Sequence, residues 1–199
     1  KVAALKGENV LLVGVSSVTS EMETKAKKAK ASARVVELTA NVKAIEKTMD
    51  GAELDALFIG AGPMSSSGTL DTDAEAWEWL FDQHCKASYF TVAKALPLLR
   101  KSKRPRVVMV APLPACSPES FASPAVPCSL ISQIRGLYIL GMAEEFVDSP
   151  MEFNGIWDGS SNDPAASKCL ELLSCFGHGS GQFYAVDVAA IPAEQQKVG

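Results

Sequence analysis

Residues 9–14 read Asn9-Val10-Leu11-Leu12-Val13-Gly14, and the fold follows from that string. Four apolar residues run without a polar break and stop at a glycine. A strand that is apolar on both faces needs cover on both, the habit of a parallel sheet clothed by helices. Working outward, Arg34-Val35-Val36-Glu37-Leu38, Asp55-Ala56-Leu57-Phe58-Ile59-Gly60 and Arg106-Val107-Val108-Met109-Val110-Ala111 repeat the pattern. Phe153-Asn154-Gly155-Ile156-Trp157 is a fifth strand, and Gln182 to Val188 a last one.

Helical stretches fill the gaps. Ser20 to Lys30 carries Glu21 and Glu23 early and Lys25, Lys27, Lys28 and Lys30 late, which suits a helix dipole and a wet surface. Val42 to Met49 is a short helix. Thr72-Asp73-Ala74-Glu75 fits a capping box opening a helix, with Trp77, Leu80, Phe81, Tyr89, Val92, Ala93 and Leu96 at helical spacing until Pro97 ends or bends it. Five prolines between 112 and 127 exclude helix or central strand there. Helices are expected again over Ser129 to Phe146 and Ala165 to Phe176. Strands alternating with helices in this rhythm predict one doubly wound parallel α/β domain over residues 1–199.

Composition narrows the function classes. The 199 residues are 47% hydrophobic and 21% charged, an ordinary globular balance. A net charge of −4 argues against a nucleic-acid-binding body. No apolar run reaches the roughly 18 residues of a membrane helix. Cys85, Cys116, Cys128, Cys169 and Cys175 are odd in number and lack a CxxC pair, which disfavours structural zinc and a disulfide framework. With only His84 and His178 as histidines, no metal constellation is expected. The start at Lys1 is compatible with a cleaved organellar presequence.

Several strings resemble the short-chain dehydrogenase/reductase family, in its hydroxysteroid dehydrogenase-like branch. They are Leu70-Asp71-Thr72, Lys86-Ala87-Ser88-Tyr89-Phe90 through Leu96 to Lys103, Tyr138 to Phe146, Asn154 to Trp157 and Gly181 to Asp187. The resemblance implies a Rossmann-like fold, a habit of binding NAD(P) for carbonyl/alcohol redox chemistry, and assembly as dimers or tetramers. It also implies that the sheet is shortened in its first nucleotide-binding half, because only one strand fits between Gly14 and Asp55.

Measured against that resemblance, the chemistry is missing. The TGxxxGxG turn reads Val13-Gly14-Val15-Ser16-Ser17-Val18-Thr19-Ser20, keeping Gly14 while Val18 and Ser20 are expected to put side chains where a phosphate would lie. The NNAG string reads Ile59-Gly60-Ala61-Gly62, and Gly60 and Gly62 keep only a turn. The family's Tyr, Lys, Ser and Asn align with Cys128, Ser132, Ala111 and His84. Glu37 lies at the distance of a ribose-binding acid, about 20 residues past the glycine turn. The stretch 34–42 aligns better with the family's third strand, however, which would make Glu37 an ordinary strand residue.

The expected function is therefore that of a non-catalytic pseudoenzyme. No cofactor is expected, and its role is that of a structural accessory subunit of a larger, mitochondrial assembly. Contacts are expected through helices 72–96 and 129–146, with a homodimer as a further form and one of Trp77 and Trp79 as an interface anchor. The alternatives are an NAD(P) oxidoreductase using Cys128 or His84 as proton donor, and a lipid or acyl binder with a pocket at Met109, Phe153 and Trp157. Cytoplasmic or peroxisomal residence are the other locations.

Overall fold

The computed structural model describes residues 5–14, 17–61, 72–112, 126–158, 168–169, 171–173 and 179–186. Six strands form one sheet: β1 (Asn9–Val13), β2 (Ser32–Val36), β3 (Ala56–Ile59), β4 (Arg106–Pro112), β5 (Glu152–Asp158) and β6 (Phe183–Val186). Their order is β2-β1-β3-β4-β5-β6, and every neighbouring pair is parallel. The doubly wound order 3-2-1-4-5-6 carries a third strand outside the second. Here nothing lies outboard of β2 among the described residues, so the sheet is short at that margin.

The period-2 alternation of the strands sorts their side chains into two cores. Val10, Leu12, Ala56, Phe58, Val108 and Val110 face α1 (Ser17–Lys28) and the helical residues Cys169, Leu172 and Leu173. Leu11, Val13, Leu57, Ile59, Val107 and Met109 face α2 (Val42–Met49), α4 (Ala87–Leu99) and α5 (Val126–Glu145). Both faces are closed, which is why the strands read as unbroken apolar runs.

Some elements depart from the sequence reading. Helix α1 begins at Ser17, three residues earlier than its charge pattern suggested, and the ion pairs Lys25–Glu21 at 3.1 Å and Lys27–Glu23 at 2.5 Å lie along it. The helix expected over 72–96 is three pieces: α3 (Ala74–Phe81), a π-turn (Asp82–Lys86) and α4. Its N-cap is Asp73, which accepts from the Ala76 N–H at 2.8 Å, rather than Thr72. Pro97 lies inside the last turn of α4, where its missing N–H forfeits one helical bond without ending the helix.

The amino-terminal end of the sheet is tied by a polar network. Arg106, 1% exposed, is ion-paired with Glu8, and Arg104 reaches the same carboxylate at 3.0 Å. Asp55 accepts from the Asn9 N–H at 2.9 Å and from Ser102 Oγ at 2.6 Å. These bonds sew β1, β3 and β4 together opposite the end that would hold a ligand.

Candidate functional site

In open α/β sheets a ligand crevice forms beyond the carboxyl ends of the strands, where the crossover direction reverses. That point lies here between β1 and β3. Gly14, at φ +102°, ends β1 in a conformation that favours glycine, and its N–H donates to Val36 O at 2.9 Å. The Gly60 N–H donates to Val13 O at 2.8 Å. A methyl on Gly60 would meet the buried Thr19 hydroxyl at 3.1 Å, so this glycine is what lets α1 sit close to β3.

The expected phosphate-facing residues are placed differently from the sequence reading. Val18 does not stand in the crevice: it is 6% exposed and packs into the core with Leu12 and Met22. Ser20 lies exposed on α1. The β2 register corrects a second expectation. β2 pairs with β1 directly, Asn9 opposite Ser32 and Val13 opposite Val36, so it occupies the second-strand position. Glu37 is then not a strand residue. It is exposed one position past the carboxyl end of β2, beside the Gly14 turn.

The positions matching the family's proton-transfer set are enclosed. Ala111 is 1% exposed, while Ser132 and His84 are at 0%. The π-turn carries His84 inward, where its ring meets Trp79 edge-on at 6.4 Å. The side chain of Cys128, Gly62 and His178 lie outside the described residues. Met109 and Phe153 are packed in the core rather than exposed beside Trp157. Trp77 and Trp79 are 37% and 44% exposed, so both, and not one alone, are open at the surface.

The tyrosine and thiol near this region are shifted away from neutrality. Burial pushes the Tyr138 phenol well above its usual range, reinforced by Tyr89 and Glu145. The Cys85 thiol is pushed up by burial, partly offset by the Arg135 cation. General acid–base work favours a pKa near the operating pH, and neither group moves that way.

The residue that sequence reasoning missed is Arg135. It lies on α5 one turn beyond Ser132, and its guanidinium donates to Gly60 O at 2.9 Å and Ala61 O at 3.0 Å. It therefore bolts α5 to the carboxyl end of β3. The available signal was a lone cation inside the apolar stretch Ser129 to Phe146. Beside it, a cavity of about 340 Å³ opens between the π-turn, α4 and α5, lined by Phe81, Ser88, Tyr89, Phe90, Ile134 and Arg135 among others.

The described residues do not by themselves assemble a hydride-transfer site for a dinucleotide. Gly14 and Glu37 keep two elements of an adenosine side, but the described positions on the nicotinamide side offer a methyl at Ala111 and two enclosed groups at Ser132 and His84. No group of three or more His, Cys, Asp or Glu among the described residues could hold a metal ion.

Solved short-chain dehydrogenase/reductase structures superpose over nearly the whole chain. One family protein covers 92% of this chain and 97% of its own at a TM-score of 0.76 and 17% identity. An NADH-dependent reductase complexed with NAD covers 96% and 100% at 0.81 and 14%. An Escherichia coli short-chain dehydrogenase complexed with NADPH covers 93% and 98% at 0.77 and 13%. The chain is a short-chain dehydrogenase/reductase-like protein with a Rossmann-like fold.

Among curated proteins it is similar to hydroxysteroid dehydrogenase-like protein 2. The human protein is 26% identical over 117 residues, 59% of this chain and 28% of that protein. The mouse protein is 27% identical over 128 residues, 64% and 26% respectively. The matches therefore span little more than a quarter of those relatives' length. No protein-family model matches the chain.

Proposed function

We propose that this protein is a non-catalytic member of the short-chain dehydrogenase/reductase-like group, acting as a structural accessory subunit of a larger mitochondrial assembly. The observation that carries the reading is where its apolar surface lies. Trp77, Trp79, Phe81, Tyr89, Leu137 and Leu140 are 37–69% exposed and all sit on α3, α4 or α5. The other described helices, α1 and α2, show lysines and glutamates to solvent instead. Large apolar side chains left exposed on adjoining helices are the kind of surface that marks a contact site. The mitochondrial placement rests on the sequence resemblance alone. Subcellular fractionation separates it from a cytoplasmic or peroxisomal home.

Blue-native migration of the endogenous protein tests the reading. Migration as part of a large complex is the expected result, and a free small dimer is the result that removes it. Leu137, 69% exposed, supplies the matching variant. Leu137→Glu is expected to release the chain from the complex while changing folding stability by less than about 0.5 kcal/mol, as surface changes do.

One observation favours a second reading, an NAD(P) oxidoreductase or a silent nucleotide binder. Glu37 stands beside Gly14, where an acid can hold an adenosine ribose. Calorimetry with NADH and NADPH discriminates. No binding heat is expected, whereas micromolar binding abolished by Glu37→Ala would replace the scaffold reading with this one.

A further inference from the structure

β2 is the margin of the sheet, and no described strand lies on its outer side. Its register with β1 runs unbroken from Asn9–Ser32 to Val13–Val36. The Ser32 N–H donates to Glu8 O at 2.8 Å, and Val36 O accepts from the Gly14 N–H at 2.9 Å. Ser32, Arg34 and Val36 therefore turn their main-chain groups towards β1. By the alternation of a strand, the N–H and C=O of Ala33 and Val35 point outward, where no described strand pairs with them.

The side chains along that row divide by face. Ala33 and Val35 are half-buried on the α1 side and pack against the core there. Arg34 is exposed on the opposite side, its guanidinium donating to Thr48 O at the end of α2 at 2.7 Å. Lys47 precedes Thr48, while Lys28 and Lys30 precede the strand, and all three are exposed. None of these four cations is ion-paired among the described residues, whereas Lys25 and Lys27 on α1 are. Against them stands Glu37, one residue past the strand. This cationic margin belongs to a chain of net charge −4.

The charge decides the occupant. Sheet edges are guarded against pairing by prolines, bulges or charged side chains, and β2 has only the last of these. A second copy would bring Arg34 and the lysines against the same cations, an unfavourable match. An acidic strand turns that repulsion into attraction. We propose that the outer edge of β2 takes up an extended acidic segment of a partner protein by strand addition. Main-chain bonds to Ala33 and Val35 supply the affinity, and alternate side chains supply the selectivity. The acidic side chains of the segment share the face of Arg34, and its small or β-branched ones share the face of Ala33 and Val35. This margin is distinct from the apolar surface on α3, α4 and α5, so the proposal goes beyond the scaffold role and is tested apart from it.

The purified chain and two octapeptides provide that test, one alternating valine with glutamate and the other valine with lysine. Binding is read by calorimetry, and its place by amide hydrogen exchange. The glutamate peptide is expected to bind at least roughly tenfold more tightly than the lysine peptide, a gap that narrows at high salt. It should slow exchange at Ala33 and Val35 and leave Leu12 and Phe58, in the covered strands, unchanged. Val35→Pro should abolish binding, because the N–H it removes makes no bond to β1. Should that variant lose its fold, Arg34→Glu is the second arm, turning the preference towards the lysine peptide. Equal binding of the two peptides, or exchange at Ala33 and Val35 indifferent to both, overturns the proposal. So does a concentration-dependent dimer that Val35→Pro dissociates, since the edge would then belong to a second copy.

Discussion

Glu8→Ala is expected to lower folding stability by about 3–5 kcal/mol, the cost of stripping one partner from a buried ion pair. Arg106 is 1% exposed and takes its counter-charge from Glu8, whose side chain is itself only 13% exposed. Without that carboxylate the guanidinium keeps its bond to Arg104 O at 2.7 Å, and its buried charge is left with only the more weakly acting Asp55 as a counter-charge. Arg104 would lose the same partner, but it is 35% exposed and water takes over there. Urea titration at pH 7 measures the loss. The double variant Glu8→Leu with Arg106→Met should recover most of it, because an apolar pair of similar volume carries no desolvation cost. A Glu8→Ala change within about 0.5 kcal/mol of the parent would show that solvent already screens the pair.

Gly155→Ala comes next in expected size. Gly155 lies in β5, paired with Met109 on one side and Phe183 on the other. A methyl group there would overlap the ring of Phe183, which stacks on Trp157 at 5.0 Å between centroids. The ring cannot tilt away without disturbing that stack, so the cost should reach the upper part of the overpacking range, about 3 kcal/mol. Phe183→Leu in the same chain frees the space. The double variant is then expected to be more stable than the two single losses added together, and a denaturation cycle on the four proteins reads this coupling. Strict additivity would mean that β6 moves aside freely and that the glycine is not required.

How much of this was legible before folding depended on burial. β1, β3 and β4 are covered on both faces, so their sequences are unbroken apolar runs and their positions were readable nearly to the residue. β2 is half exposed at the sheet margin. Its Ser32, Ala33 and Arg34 carry little apolar signal, which is why its start was read late and Glu37 was counted into it. The break between α3 and α4 was hidden for another reason. A π-turn adds a residue to the helical ladder without interrupting the run of apolar side chains.

That Ala111 and Ser132 stand at the positions aligned with the family's reactive groups could be read from the sequence alone. Arg135 could not. An arginine in a helix reads as a wet residue until the helix is known to lie on β4 and β5, from where the side chain reaches the carbonyls just past β3. Val18 shows the converse: alignment set it against a phosphate, but a branched side chain near a helix start is more stable in the apolar layer below.

An entirely parallel sheet has a consequence for how this chain assembles. No two neighbouring strands can meet through a tight hairpin, since each pair waits on a crossover that must be ordered first. Loop closure therefore precedes most of the energetic return, and refolding belongs to the slow regime of long-range pairing, about milliseconds to seconds. The β1–β3 trio uses the nearest crossovers and can form first. Until β4 arrives, it presents an apolar, unpaired strand margin to any other nascent chain nearby, so crowded synthesis is where this protein is most exposed to aggregation.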